Sequence, residues 1–267
     1  MESYTGFAGV YDAFMDNIPY KKWSEYLAGL LREYNIDSGL VAELGCGTGN
    51  ITTELTQWGY DMIGIDNSDE MLSIAIGKRE NSPGKAGEIL YLLQDMREFE
   101  LYGTVAAIIS ICDSINYITS EEDLLTVFKL VNNYLDTDGI FIFDLNTVYK
   151  YSAVLADNTI AENREDCSFI WDNYYYEDEM INEYDLTIYM KEKKNRFLRF
   201  DEIHYQKAYT LETIKRLLKE SGLLYITAFD AFTHNPPEQN SERIYIVARE
   251  GRVENKKYIS TGQVKEK

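Results

Sequence analysis

A chain of 267 residues with 45% hydrophobic side chains is long enough for one sizeable domain with an insertion, or for two small ones. Its formal charge of −19 argues against a nucleic-acid partner, which needs a basic patch, and points toward a small, even cationic, substrate. No run of about 18 apolar residues offers a membrane span, and Met1-Glu2-Ser3-Tyr4 lacks the basic-then-apolar pattern of a secretory signal, so a cytoplasmic location is expected.

The first clear element is an amphipathic helix over residues 20–34, with Trp23, Tyr26, Leu27, Leu30, Leu31 and Tyr34 on one face. Val41 to Asn50 then reads as a buried strand, a glycine turn and a helix start. Ile63-Gly64-Ile65-Asp66 reads as a second strand ending in a carboxylate. Glycines let the backbone turn sharply and bring N–H groups close to a ligand, and a carboxylate so placed can accept both hydroxyls of a ribose. A turn with no ligand is the alternative. A helix from Asp69 to Gly77, a strand from Ile89 to Leu93 and a strand from Val105 to Ile111 follow. Next come a helix over Glu121 to Leu135, a turn at Asp136-Thr137-Asp138-Gly139, and an apolar fifth strand over Ile140 to Asp144. Alternation of this kind implies a parallel sheet.

Residues 166–208 change character. Cys167 to Trp171, Tyr184 to Met190 and Phe197 to Tyr205 alternate with period two, and turns are expected over Asn173–Glu179 and Glu192–Asn195. They predict a three-stranded antiparallel insertion, dense in tyrosine. Its acidic first turn, from Asp172 through Asp185, is either a solvated face or an attraction for a basic substrate. Beyond it, Thr210 caps a helix to Glu220, Ser221-Gly222 stops it, and Leu223 to Phe229 and Arg243 to Ala248 form the last two strands. Residues 251–267 read as a polar tail whose Lys256, Lys257, Lys265 and Lys267 are solvated.

A dinucleotide fingerprint would need glycines at 45, 47 and 50, but position 50 is Asn and the third glycine is Gly49. The E-x-G-x-G-x-G run from Glu43 to Gly49, with acids ending the second and third strands, resembles the class I S-adenosylmethionine (SAM)-dependent methyltransferases. The resemblance is strong over roughly residues 40–145. It implies an α/β, Rossmann-like seven-stranded sheet whose last strand is antiparallel, with a small antiparallel β insertion. Residues 1–150 and 209–250 would form the SAM-binding domain and residues 160–208 a lid over the substrate, a dimer-forming sheet being the alternative.

The resemblance implies SAM as cofactor, with S-adenosylhomocysteine as product. It implies a cofactor site of Glu43, Gly45, Cys46, Gly47, Gly49, Asp66, Asn67, Met71, Asp95, Met96 and Cys112. In the family an acid at the position of Asp95 takes the adenine amino group and the backbone N–H of the next residue reaches the ring. Residues after the fourth strand touch the methionine part. A tyrosine-bearing N-terminal segment, here with Tyr11, folds over the cofactor in similar small-molecule enzymes; ordinary packing is the alternative. Methyl transfer needs mainly proximity and alignment, and a base only where the nucleophile must lose a proton. Candidate catalytic residues are Asp113, which either orients a substrate amine or caps a turn, Tyr11, and His204; His234 is a weaker candidate.

The three cysteines, Cys46, Cys112 and Cys167, form no C-x-x-C or Cys/His cluster, so no metal is expected. The N-P-P-Y/F signature of amino-methylating DNA and protein enzymes is replaced after the fourth strand by Cys112-Asp113-Ser114-Ile115. The expected activity is methyl transfer to N or O of a small molecule by a monomer or homodimer. A protein or tRNA methyltransferase, or a non-catalytic SAM-binding module, are the other readings.

Overall fold

The computed structural model describes residues 8–81, 88–193 and 196–252. From residue 253 on, the polar tail lies outside them, as does the tip of the turn expected at Glu192–Asn195.

A helix α1 (Ala8–Phe14) precedes α2 (Tyr20–Glu33). The first half of the fold is β1 (Gly39–Leu44), α3 (Asn50–Thr56), β2 (Tyr60–Asp66), α4 (Asp69–Asn81), β3 (Ile89–Leu93) and β4 (Val105–Ser110). A 3-10 turn at Ser114–Tyr117, α5 (Glu121–Tyr134) and β5 (Leu135–Asn146) follow. After a π-helical turn at Lys150–Leu155 come β6 (Thr159–Asn163), β7 (Cys167–Tyr176), β8 (Ile181–Lys193) and β9 (Arg196–Lys207). The chain closes with α6 (Leu211–Glu220), β10 (Leu224–Asp230) and β11 (Arg243–Arg249).

Seven strands form the main sheet in the order β10-β11-β5-β4-β1-β2-β3, and β11 runs antiparallel to both its neighbours. Period two divides the central strands between two cores. Ala42, Leu44, Phe141 and Phe143 meet α5 and α6 through Val127, Phe128, Leu217 and Leu218. Val41, Ile109, Ile140 and Ile142 meet α2 and α3 through Leu27, Leu30, Leu31 and Leu55. Side chains cap α5 and α6: Ser120 accepts from the Asp123 N–H and Thr210 from the Thr213 N–H, both at 3.1 Å.

Three expectations need correction. The insertion has four strands, in the order β6-β7-β8-β9. The extra strand β6 is short and carries only Ile160 and Ala161 as apolar residues, too few to show alternation. Strand β7 also runs on through Asn173 to Tyr176, where a turn was expected, because the polar Asn173 is buried and takes a backbone carbonyl, that of Asn158, at 3.0 Å. The turn expected at Asp136–Gly139 is an irregularity within β5. Val105 pairs with Leu135 and Ala107 with Ile140, and Asp138 takes a positive φ of 64° to absorb the residues between.

The four-stranded sheet packs its inner face on α1, with Phe14 and Phe169 edge to face at 4.8 Å and Leu186 and Ile188 beneath. Helix α1 is also fastened to the glycine turn. Asp12 accepts from the Thr48 hydroxyl at 2.7 Å and the Asn50 amide at 3.0 Å, and pairs with Lys78 at 2.5 Å. Among the described residues no helix is long and apolar enough to cross a membrane.

Candidate active site

The ends of β1, β2, β3 and β4 point into one cavity of about 1080 Å³, closed on the far side by residues of α1, α2 and β9. The glycine turn forms its floor. Gly45, Gly47 and Gly49 all have left-handed φ, at 72°, 53° and 73°. A Cβ at Gly45 would lie 2.6 Å from the side chain of Ser114, so the turn can lie against the post-β4 segment only without one.

The carboxylates are held differently. Asp66 accepts the Gly47 N–H at 2.7 Å on one oxygen and the Ser68 N–H at 2.9 Å on the other. Burial pushes its pKa up against those two bonds. Asp95 accepts from the guanidinium of Arg97 at 2.5 Å, and that bond holds its pKa down. Glu43 is 2% exposed, bonded to the Thr52 hydroxyl, and pushed by burial to about 8.

A consequence for stability follows from Glu43. The folded chain keeps a proton on this group that the unfolded chain releases near 4.5. Stability therefore falls as pH rises from about 4.5 toward about 8, by up to about 1.4 kcal/mol per pH unit. Glu43→Gln should flatten this dependence, as read by urea unfolding at pH 5 and pH 8. An unchanged dependence would show that Glu43 does not bind the proton.

Of the residues singled out in the sequence, Tyr11, Glu43, Gly45, Cys46, Gly47, Asp66, Asn67, Met71, Asp95, Met96 and Cys112 all line this cavity. Three do not. Gly49 lies behind the turn, where an added Cβ would meet the Tyr91 hydroxyl at 2.3 Å, so it makes room for helix–strand packing. Asp113 has both oxygens engaged, accepting from Arg243 Nη2 at 2.6 Å and Gln206 Nε2 at 2.7 Å. His204 is 4% exposed and sits behind Tyr117. His234 is exposed and pairs with Glu33 at 2.8 Å.

Sequence reading missed Tyr20, Ser114, Tyr117 and the β9 residues Asp201, Ile203 and Tyr205, which also line the cavity. Strand alternation was the available signal for the last three. With Glu202, His204 and Gln206 buried, the odd-numbered residues must face the other way.

A buried polar chain fastens the two sheets together beside the cavity. Tyr151 and Tyr184 donate to Gln206 Oε1, at 2.7 and 2.5 Å, and Gln206 donates to Asp113. Arg243 spans Asp113 and the fully buried Asp144, the latter at 2.5 Å. Asp144 accepts the Cys112 and Asp113 N–H groups at 3.2 and 2.8 Å, and those two residues hold left-handed φ of 61° and 55°. Burial raises the pKa of Asp144 despite the guanidinium.

A seven-stranded α/β sheet in which β11 runs antiparallel to both neighbours, with a glycine turn at the carboxyl end of β1, has the class I methyltransferase architecture. A family model for a methyltransferase domain matches residues 41–139. YqeM of Bacillus subtilis (strain 168), which carries the name of a methyltransferase, is 35% identical over 93% of this chain and 98% of its own length. A SAM-dependent methyltransferase from Clostridium acetobutylicum ATCC 824 superposes with a TM-score of 0.82 at 30% identity, covering 94% of this chain and all of that one. SAM-bound CalS10 from Micromonospora echinaspora, an amino pentose methyltransferase, shares the fold with a TM-score of 0.70 at 15% identity, covering 90% and 96%. The chain belongs to the SAM-dependent methyltransferase family.

Proposed function

We propose that this chain transfers a methyl group from SAM to a nitrogen or oxygen of a small molecule, in the cytoplasm and as a monomer or homodimer. One observation carries the reading. The cavity is continuous from the glycine turn to Tyr117 and the β9 residues, and at about 1080 Å³ it exceeds what a single drug-sized ligand requires. A donor and a small acceptor fit together in such a space, whereas a folded partner does not. The acid-lined wall, with Asp69, Glu70, Asp95 and Asp201, repels a nucleic acid.

The residues present suit SAM. Asp66 spends one lone pair of each oxygen on backbone N–H groups and keeps the others for ribose hydroxyls. Asp95 and Met96 would take the adenine. Glu43 and Cys112 would border the methionine end, with Tyr11 and Tyr20 closing over it. When bound, SAM supplies a methyl group already activated on a sulfonium. The protein's part is to hold the two reactants in line and exclude water, a contribution of about 7–11 kcal/mol to the barrier. The four-stranded sheet serves as lid over the acceptor. Its nearness to the amino-sugar enzyme CalS10 in fold agrees with an amine acceptor.

Isothermal titration should show binding of S-adenosylhomocysteine and none of NAD, because the third glycine is at 49 rather than 50 and the wall near β3 carries Asp95-Met96. Binding of NAD alone would sink the reading. Release of S-adenosylhomocysteine in the presence of small amines and phenols, and not of protein or tRNA, would then fix the acceptor class.

A further inference from the structure

His204 cannot reach the cavity directly, yet it stands one side chain away from it. On β9 the buried face carries Glu202 and His204, 5% and 4% exposed. His204 Nε2 lies 3.0 Å from Glu202 Oε2, and His204 Nδ1 lies 3.4 Å from the hydroxyl of Tyr117. Tyr117 ends the 3-10 turn after β4 and lines the cavity. We propose that Tyr117, His204 and Glu202 form a proton relay that deprotonates a cationic amine acceptor. Tyr117 is its catalytic residue, and His204 and Glu202 act through it. The inference rests on the methyl-transfer reading and specifies its substrate as a protonated amine.

The relay requires one tautomer of His204. In the relay Glu202 is ionised; a carboxylate in that state only accepts, which puts the ring proton on Nε2 and turns the Nδ1 lone pair toward Tyr117. A protonated amine beside Tyr117 then breaks one N–H bond, and its proton goes to the Tyr117 oxygen. The phenolic proton passes to Nδ1. The resulting imidazolium is held by Glu202, the amine nitrogen gains a free lone pair, and no electrons are exchanged. The reverse path returns the proton to water.

A purely structural pair is the rival account. Burying an acid and an imidazole forfeits solvation that their attraction seldom exceeds, and apolar side chains of similar size serve stability as well. The strand beside them offers such residues: Leu186 pairs with Glu202, and Tyr184 with His204. Among the described residues, His204 meets Glu202 on its own strand, Tyr117 from the 3-10 turn and Tyr184 from β8. Tyr184 is committed to Gln206, which reaches Asp113. Tyr117 connects the ring to the cavity. The acid-lined wall and the charge of −19 favour a cationic acceptor.

The chain holds two histidines, so the ring nitrogens of His204 can be followed by ¹⁵N NMR in the full chain, with His234→Gln as the assignment. The expected result is the Nε2–H tautomer at pH 8, with an Nδ1 resonance that moves in Tyr117→Phe. With S-adenosylhomocysteine bound, ethylamine should shift His204 toward imidazolium in the wild type and not in Tyr117→Phe. Tetramethylammonium, which has no proton to give, should do neither. The Nδ1–H tautomer, a Tyr117→Phe spectrum like the wild type, or equal responses to the two cations overturns the relay. Absence of S-adenosylhomocysteine binding overturns the methyl-transfer reading instead, and leaves the tautomer result to stand alone.

Discussion

Arg243→Met lowers stability by about 3–5 kcal/mol and the melting temperature by on the order of 10 °C. The guanidinium is the counter-charge of Asp144, which is 0% exposed, and it also binds Asp113. Removing it strands a buried carboxylate whose remaining partners are two N–H groups. Those N–H groups belong to Cys112 and Asp113, in left-handed conformations that cost on the order of 1–3 kcal/mol each. The substitution therefore releases strain at the cavity edge as well as charge. Asp144→Asn on the same background should recover much of the loss, since an amide keeps an oxygen for those N–H groups without a charge. A melting temperature for Arg243→Met within about 2 °C of wild type, by calorimetry, would show that solvent satisfies Asp144.

Asp66→Ala weakens S-adenosylhomocysteine binding about 10- to 150-fold, equivalent to charge-assisted hydrogen bonds worth about 1.5–3 kcal/mol. Two effects act in the same direction. The ribose loses its acceptor, and the glycine turn loses the bond from Gly47 that fixes its shape. Asp66→Asn separates them, because one amide oxygen retains an acceptor for either the turn or the ribose. Titration calorimetry on the folded variants gives both dissociation constants. An unchanged constant for Asp66→Ala would place the ribose elsewhere.

The main sheet was legible because its strands are buried on both faces and read as apolar runs bounded by turn residues. The position of the cavity was legible too, since Glu43, the glycines, Asp66 and Asp95 follow strand ends in chain order. Strand β6 was not, because an exposed edge strand of five residues needs no apolar periodicity. The turn at Asp136–Gly139 misled because Asp and Gly suit a bulge as well as a turn. Asp113 was singled out by its place after the fourth strand and His204 by type, and both are polar residues bound to partners distant in sequence: Asp113 to Arg243, His204 to Tyr117. Pairings of that kind arise only when sheets pack, and no local pattern records them. Tyr117 was overlooked for the same reason: its importance comes from its neighbours.

Helix α1 adds a second tie between the main sheet and the four-stranded sheet, apart from the buried chain through Gln206 and Asp113. Asp12 grips the glycine turn through Thr48, Asn50 and Lys78, and one turn further on Phe14 and Asp16 grip the four-stranded sheet through Phe169 and Arg164. The sheet cannot lift without pulling on the glycine turn. The Lys78–Asp12 and Arg164–Asp16 pairs are partly exposed, and pairs of that kind are individually weak and loosened by salt. If the four-stranded sheet opens as the proposed lid, this short tie must loosen with it, so added salt should ease that opening.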